Sequence, residues 1–361
     1  MKRNDWYTHL IVLATLLSLA SIPTLARAEG SPRAVVFRTQ TMGTWASLTL
    51  VTNDSASVAG LAYETLKVFH RVDSLMSNWT KVSEVARINR MAAPYEITVQ
   101  PDVGDVIDFA QLVAKESDGA FDITIEPLVR LWGFLGGTPR VPTQNEIDAT
   151  LERVGQDKIR FNPADRSIHF MRDGVAIDLG GIAKGYSVDR AAELLRNASV
   201  TDALIDLSGN MVALGSAAHR NDSDNGWHLG IRDPSGDRPY LGRVVLHNAA
   251  IATSGDYEQF VDSDGKRYGH ILDPRTGWSA NGLTSVTVIA DRATVADAWA
   301  TALFVLGPEK GRRVAHERDD LAVILVEPGD DGRTTIWVEQ ELRALFVPNT
   351  GGNNNHTVQY F

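Results

Sequence analysis

Hydrophobic and polar residues follow regular spacings over most of the chain. Alternation at every second position is typical of strands, and it predicts strands at Ala34–Phe37 and Thr44–Thr52. Hydrophobic residues three or four positions apart predict helices at Val58–Val72 and from Pro101 to Ala114. The first third of the chain is therefore expected to combine a strand pair with helices.

The rest of the chain is richer in strand-like runs. These runs are Ile159–Phe161, Ser167–Met171, Val175–Leu179, Ala203–Leu207, Met211–Leu214, Trp227–Ile231, Arg243–Leu246, Ala250–Thr253, Ser285–Ala290, Ala322–Val326 and Thr334–Val338. Helices are predicted from about Gln144, over Tyr186–Asn197 and from about Thr294 to Leu306. No repeat or proline-rich linker divides the sequence, so we expect an α+β fold. It would be a single interlocked domain of mixed sheets flanked by helices at residues 37–347.

The two ends of the chain depart from this pattern. Lys2–Arg3 precede an apolar run at Leu10–Ala20 and then Ala26–Ala28, the order expected of a secretory signal peptide at 1–28. The apolar run is shorter than the roughly 20 residues that span a bilayer. We therefore expect a periplasmic protein without stable membrane insertion. The remaining predicted segments are a polar lead at 29–36 and a mobile C-terminal tail at 348–361.

Composition and charge exclude several classes of protein. The 361 residues include no cysteine, which excludes thiol nucleophiles, disulfides, zinc–thiolate sites and the lipid anchor of bacterial lipoproteins. The net charge of −10 disfavours nucleic acid as a partner, because phosphate backbones attract an excess of Lys and Arg. Removal of 1–28, which holds three basic residues and one acidic residue, would make the net charge −12.

The densest motif is Asp178–Asp189, which joins a predicted strand to a predicted helix through three glycines and Lys184. Glycines allow a backbone to approach a phosphate closely, and a helix N-terminus offers it free N–H groups and a positive dipole. Lys184 would add a full positive charge. The motif therefore indicates an anion site, with a tight turn carrying a surface lysine as the alternative interpretation.

A second motif lies in the helix predicted from Thr294. Asp297 and Thr301 are four residues apart, so they share one helix face among small alanines. A carboxylate beside a hydroxyl suits a hard cation such as magnesium or calcium, with a backbone carbonyl of a glycine-rich turn as a further ligand. The alternative is a solvated Asp with a Thr bonded to its own helix.

Two further groups of residues have side chains suited to chemistry or to ring binding. His270 lies on a predicted strand that runs into the Pro-containing turn of Asp273–Gly277, where it could transfer a proton or serve only as a structural histidine. The turn expected at Thr253–Tyr257 could contact a ligand or cap itself. Met and Trp beside small residues can hold a planar ring, or simply lie in the core, at Met42–Thr44 and Ser77–Trp79. A third such segment is Gly119–Asp122.

Taken in this order, these segments resemble the ApbE family of FAD:protein FMN transferases. The most specific matches are Asp178–Gly185 and His270–Gly277. The resemblance implies a magnesium-dependent enzyme that cleaves the pyrophosphate of FAD, transfers FMN through a phosphoester to a Thr or Ser hydroxyl of an acceptor protein, and releases AMP.

The resemblance also implies roles for individual residues. The side chains of Asp297 and Thr301 and the backbone carbonyl of Gly181, or alternatively of Ala183, would bind magnesium. His270 is the candidate general base, with Asp297 as the alternative. Residues implied to contact FAD are Met42, Trp79, Ala120, Phe121, Asp122, Asp178, Lys184, His270 and Ile271.

Other functions remain open at this point. With water as the acceptor, the same site would make an FAD pyrophosphatase that yields FMN and AMP. A noncatalytic flavin carrier or assembly factor is a third possibility, although it has no need of a metal beside a pyrophosphate. The expected acceptor is a membrane-associated electron-transfer subunit with an extracytoplasmic domain, of the sodium-pumping or Rnf type, or a regulator of nitrous oxide reduction.

Overall fold

A computed structural model describes residues 32–217, 226–329, 332–349 and 356–361. The predicted signal peptide at 1–28 lies outside these residues, as do positions 29–31 of the predicted lead and positions 350–355 of the predicted tail. None of the helices in the described ranges is long and apolar enough to cross a bilayer.

The helices and strands are as follows. The helices are α1 (Ala59–Met76), α2 (Glu84–Met91), α3 (Pro101–Glu116), α4 (Glu126–Leu131), α5 (Gln144–Leu151), α6 (Ala183–Asn197) and α7 (Ala293–His316). The strands are β1 (Arg33–Thr41), β2 (Thr44–Thr52), β3 (Ile97–Thr98), β4 (Ile159–Asn162), β5 (Ser167–Phe170), β6 (Ala203–Leu207), β7 (Asn210–Leu214), β8 (Trp227–Arg232), β9 (Tyr240–Leu246), β10 (Ala249–Gly255), β11 (Phe260–Ser263), β12 (Lys266–Gly269), β13 (Ser285–Ala290), β14 (Ala322–Pro328), β15 (Thr334–Val338), β16 (Phe346–Pro348) and β17 (His356–Tyr360).

A nine-stranded sheet organises the fold, in the order β1-β2-β6-β7-β10-β13-β14-β15-β17. Neighbouring strands are antiparallel except β15 and β17, which pair in parallel. All six residues of the central strand β13 are buried. Both faces of the sheet are therefore covered, which explains why β13 is a continuous run of small and apolar residues and does not alternate.

Helices cover one face of this sheet and a small sheet covers part of the other. Apolar residues of α1 and α6 pack with β2, β6 and β7, and α7 packs over β10, β13 and β14. On the opposite face, the three-stranded sheet β16-β9-β8 contributes Leu229, Val244 and Phe346 to a separate cluster. The mixed α+β fold expected from the sequence is confirmed.

The helix predicted to end near Leu306 does change there. Within α7, Gly307 has a φ of 76°, outside the helical region, and Pro308 follows it. Proline removes a backbone donor and clashes with the preceding turn, so the helix breaks at this point and resumes to His316. The segment before the break, Ala293–Leu306, is the part that lies beside the candidate site.

One predicted strand is wrong. Residues 175–179 form no strand, because side-chain amides take the place of a neighbouring strand there. The Asn89 side chain accepts from the Ile177 N–H at 2.8 Å and donates to the Ile177 carbonyl at 3.0 Å. Asn78 donates to the same carbonyl at 3.0 Å. These bonds hold the segment extended and lead it directly into the glycine-rich turn.

Three other expectations differ from the structure in the residues at which an element begins or ends. The predicted turn at Thr253–Tyr257 begins later, because β10 continues to Gly255. His270 lies one residue beyond β12 and not within it. Residues 356–360 of the expected tail form β17, which completes its backbone hydrogen bonds along β15. A strand this short gains its order from a partner that no local pattern reveals.

Glu339 follows β15 and is buried, and its carboxylate accepts from the Val323 N–H at 2.9 Å. Burial raises its pKa to about 7, and the nearby Glu341 acts in the same direction. The unfolded chain holds this proton less tightly, with a pKa of about 4.3. The folded state thus binds the extra proton between about pH 4 and 7, so that stability is present at low pH and lost as the pH rises through this window.

Replacing Glu339 by Gln should stabilise the protein at pH 8, by about 1–3 kcal/mol, because Gln keeps the acceptor oxygen without the buried charge. The gain should shrink as the pH falls below 7, and urea unfolding between pH 5 and 8 measures it. The exposed Glu341→Gln variant is the control, with an expected change within about 0.5 kcal/mol. A gain from Glu339→Gln that is independent of pH would contradict the buried-charge interpretation.

Candidate active site

A cavity of about 860 Å³ lies between α1, the glycine-rich turn before α6, α7 and the loop after β12. Its size is within the range of small-molecule sites. Every residue that the sequence predicted for the site lies on its wall. These are Met42, Trp79, Ala120, Phe121, Asp122, Asp178, Gly181, Ala183, Lys184, His270, Ile271, Asp297 and Thr301.

The junction of α6 and α7 forms one end of this cavity. The Gly185 N–H donates to Oδ2 of Asp297 at 2.8 Å. A Cβ at Gly185 would lie 2.2 Å from the Ala293 carbonyl oxygen and 2.7 Å from Cβ of Asp297. Only glycine permits this approach, and it brings the N-terminus of α6 directly against the first turns of α7.

The predicted metal ligands lie together at this junction. Oγ1 of Thr301 lies 3.2 Å from Oγ of Ser254, and it donates to the Asp297 carbonyl over 3.4 Å. A Cβ built on Gly181 would lie 3.4 Å from the same Thr301 oxygen. In a continuous helix the Gly185 N–H would bond to the Gly181 carbonyl, but it donates to Asp297 instead. The Gly181 carbonyl is therefore left without its helical donor.

These donors fit a magnesium ion. Magnesium prefers oxygen ligands and usually takes only one or two carboxylates, completing its shell with water and substrate phosphates. In the described part of the chain no group of three or more His, Cys, Asp or Glu side chains is arranged to hold a metal. A site here must therefore rely on a single carboxylate, a hydroxyl and a backbone carbonyl, which are the groups that the junction supplies.

Burial makes the junction electrostatically demanding. Asp297 is only 6% exposed, and desolvation raises its pKa to about 6 against the opposing effects of Lys184 and the Gly185 N–H. Asp73, Asp122, Asp178 and Glu258 also line the cavity, whereas Lys184 is the one Lys or Arg side chain among its described lining residues. An anionic ligand needs additional positive charge, which a bound cation can supply.

His270 lies on a different wall, supported by the hairpin of β11 and β12. Its Nδ1 is 3.3 Å from the Gln259 carbonyl, and because a carbonyl only accepts, Nδ1 carries the proton. The Phe134 ring meets the imidazole edge-on at 6.4 Å between centroids. Burial lowers the pKa of His270, and Lys184 acts in the same direction. The imidazole is therefore neutral, and its Nε2 is free to accept a proton.

Another part of the wall is the turn between β1 and β2. Met42 and Gly43 both have positive φ, at 48° and 71°, as the two central residues of a type I′ hairpin turn require. Oδ2 of Asp73 accepts from the Met42 N–H at 3.0 Å and thereby anchors the turn to α1. Trp79 lies at the mouth with 70% of its surface exposed, so its ring is available for stacking.

Two predicted carboxylates are partly used by the fold. Oδ1 of Asp122 accepts from the backbone and hydroxyl of Thr124 and from Gln156, at 2.7–2.8 Å. Oδ1 of Asp178 accepts from the Gly180 N–H at 2.8 Å and shapes the glycine-rich turn. Burial raises the pKa of both carboxylates. In Asp122, Oδ2 is the oxygen left to meet a ligand, whereas the Asp178 carboxylate is also bonded by the Asn78 side chain.

Sequence reasoning missed Asp73, Glu258 and Gln259, all of which line the cavity. Asp73 had a detectable signal, because it lies four residues after Phe69 on the inward side of α1. Gln259 had none, since it acts through its backbone carbonyl. Glu258 adjoins the Thr253–Tyr257 motif, and its polarity alone did not separate it from a solvated loop residue.

The known proteins that this chain resembles in sequence and fold are flavin transferases. The model of the ApbE family matches residues 42–325. A relative from Klebsiella pneumoniae, named FAD:protein FMN transferase, is 34% identical over 315 residues, 86% of this chain and 93% of the relative. A relative of the same name from Escherichia coli K12 is 30% identical over 319 residues, 86% and 89% of the two chains.

Solved structures agree with these relatives. The flavin transferase ApbE from Vibrio cholerae has a TM-score of 0.77 at 29% identity, and the match covers 87% of this chain and 99% of that one. The ApbE protein from Thermotoga maritima has a TM-score of 0.77 at 32% identity, with the same coverage.

The close approach of α6 and α7 can be tested at Gly185. Replacing Gly185 by Ala should force the helices apart and lower the free energy of unfolding by about 1–3 kcal/mol, as measured by urea denaturation. Gly60→Ala is the matched control, because no atom lies within 4 Å of a Cβ at this helical position. That variant should gain about 0.4–1 kcal/mol. Equal stability of the two variants would contradict the close approach.

Proposed function

Because the chain belongs to the ApbE family, we propose that it is a magnesium-dependent FAD:protein FMN transferase acting on an extracytoplasmic acceptor. FAD:protein FMN transfer follows from the family and from the relatives that bear this name. Magnesium dependence, release of AMP and the location of the acceptor are our additions. In this reaction the acceptor hydroxyl forms a bond to the phosphorus of the FMN half, and the P–O bond to AMP breaks.

The observation that carries the proposal is the junction of α6 and α7, where Lys184, Asp297 and Thr301 line one end of the cavity. A pyrophosphate brings negative charge to a wall that already holds several carboxylates. Lys184 can neutralise only part of it. A divalent cation held by Asp297, Thr301 and the Gly181 carbonyl would supply the rest and polarise the phosphoryl oxygens.

Gly181 is preferred over Ala183 as the backbone ligand. Ala183 begins α6, so its carbonyl accepts a hydrogen bond inside the helix. Gly181 precedes the helix, and its expected donor is diverted to Asp297. The flavin dinucleotide would extend from this junction, where the Phe121 ring lies against Gly181, toward Trp79 at the mouth.

His270 is the group best suited to take the proton of the acceptor hydroxyl. Its Nε2 is the free acceptor of a neutral imidazole, while Gln259 fixes the proton on Nδ1. Asp297 is the weaker candidate for this role, since one of its oxygens already accepts from Gly185 and the carboxylate is assigned to the metal. Positioning of the hydroxyl and the pyrophosphate would provide the remainder of the catalysis.

We further propose that the protein acts in the periplasm, on the basis of the predicted signal peptide. Its acceptor would be a membrane-associated electron-transfer subunit or a regulator of nitrous oxide reduction. The sequence lacks the Asp-x-x-Ser/Thr-Gly-Ala-Ser/Thr motif that this family modifies, so another protein must carry the modified hydroxyl.

Incubation with FAD, magnesium chloride and a candidate acceptor domain tests the proposal directly. Mass spectrometry should detect one FMN bound through a phosphoester to an acceptor Thr or Ser, with an equal amount of AMP released. A chelator should stop the reaction. Free FMN and AMP without an adduct on any acceptor would favour the hydrolase, and bound but uncleaved FAD would favour a carrier.

Replacing His270 by Ala should lower the rate of transfer by about 10²–10⁴-fold, the usual contribution of a general base. FAD affinity, measured by quenching of flavin fluorescence, should change little because the junction stays intact. His316→Ala is the control, since His316 is exposed at the far end of α7. Transfer at the normal rate by His270→Ala would remove this residue from the mechanism.

A further inference from the structure

The two helices that form the junction cap each other. The residue before α7, Arg292, provides no side-chain cap for the helix. Asp189 of α6 does so instead. Its Oδ1 accepts from the Ala293 N–H at 2.7 Å, and its Oδ2 accepts from the Thr294 N–H at 2.8 Å and from the Thr294 hydroxyl at 2.5 Å.

A second cap runs in the opposite direction. Asp297 of α7 accepts from the Gly185 N–H near the start of α6. Asp189 follows Gly185 by four residues, and Asp297 follows Ala293 by four residues. On each helix, the carboxylate that caps the other helix therefore lies one turn beyond the N–H group that is itself capped. The two helices are thus joined at two points separated by one turn.

Two such points fix how far α7 can slide along α6. The contact of Gly185 with Ala293 is close packing and does not by itself define a position along the axis. The Asp189 cap does, because it bonds the two N–H groups that begin α7. This position decides whether Asp297 and Thr301, four and eight residues further along, lie opposite Gly181.

We propose that Asp189 is a positioning residue for the magnesium site, which sets the register of α7 so that Asp297 and Thr301 face the Gly181 carbonyl. The inference rests on the magnesium dependence proposed above. Asp189 does not line the cavity; it acts through the helix that it caps, and its negative charge also acts on Asp297.

The rest of α7 does not depend on this cap. Trp299, Leu303 and Phe304 are fully or almost fully buried against the sheet, so the helix keeps its place in the core without Asp189. Arg292, whose Nε lies 3.7 Å from the Asp189 carboxylate, also contacts the face of Phe109, so it keeps one of its two contacts when Asp189 is replaced. Loss of the cap should therefore act mainly on the first turns of α7, where the metal ligands lie.

Magnesium chloride titrated by calorimetry into the FAD-saturated protein, without acceptor, tests the proposal. Asp189→Ala should weaken magnesium binding by about 10-fold or more, the lower end of the loss that follows removal of a group that orients metal ligands. Asp189→Asn keeps one acceptor oxygen and should recover part of the affinity. Affinity for FAD without magnesium should stay within about twofold of the native value, because none of the residues predicted to contact FAD lies in α7.

Thr143→Ala is the matched control. Thr143 caps α5 away from the cavity, and its loss removes a cap of the same kind. That variant should lose stability with unchanged magnesium affinity. Equal magnesium affinity in the native protein, Asp189→Ala and Asp189→Asn would overturn the positioning role alone. A native protein that binds no magnesium would overturn the proposed metal dependence, and this inference with it.

Discussion

The reciprocal capping of α6 and α7 is the interaction on which the site depends. A helix N-terminus leaves N–H groups without partners and carries a partial positive charge, so a carboxylate there is favourable. Each helix meets this need of the other, through Asp189 and Asp297. The arrangement requires a glycine at 185, because any larger residue would separate the two helix starts. A single structural requirement thereby brings Asp297, Lys184 and the glycine-rich turn to one end of a cavity.

The same arrangement explains how an acidic chain can act on an anionic dinucleotide. The net charge of the chain is −10, and carboxylates outnumber ammonium groups on the described cavity wall. Burial raises the pKa of Asp297 to about 6, because a charge there has few compensating partners. A cation bound at the junction would favour the ionised carboxylate and attract a pyrophosphate at once. The need for positive charge is therefore local and does not require a basic protein.

The sequence predicted the regular elements well where their pattern was local. The bounds of β2, β6 and β13 are those expected, because each strand carries its own alternation or apolar run. Prediction failed at 175–179, where Asn89 bonds to the backbone in place of a strand, and at β17, whose order depends on pairing with β15. The site residues were found because they lie in dense motifs at the ends of elements. Asp73 was missed although it shares the inward side of α1 with Phe69, and its contact with the turn at Met42 exists only in the folded chain.

The proposed base and the proposed metal ligands come from separate parts of the structure. His270 is oriented by Gln259 and Phe134, which belong to the hairpin region and its aromatic neighbours. Asp297 and Thr301 are oriented by the contact between two helices. The two groups are nevertheless linked through charge, because Lys184 acts to lower the pKa of both His270 and Asp297. An acceptor hydroxyl would have to enter between these two walls to reach both the proposed base and the proposed metal site.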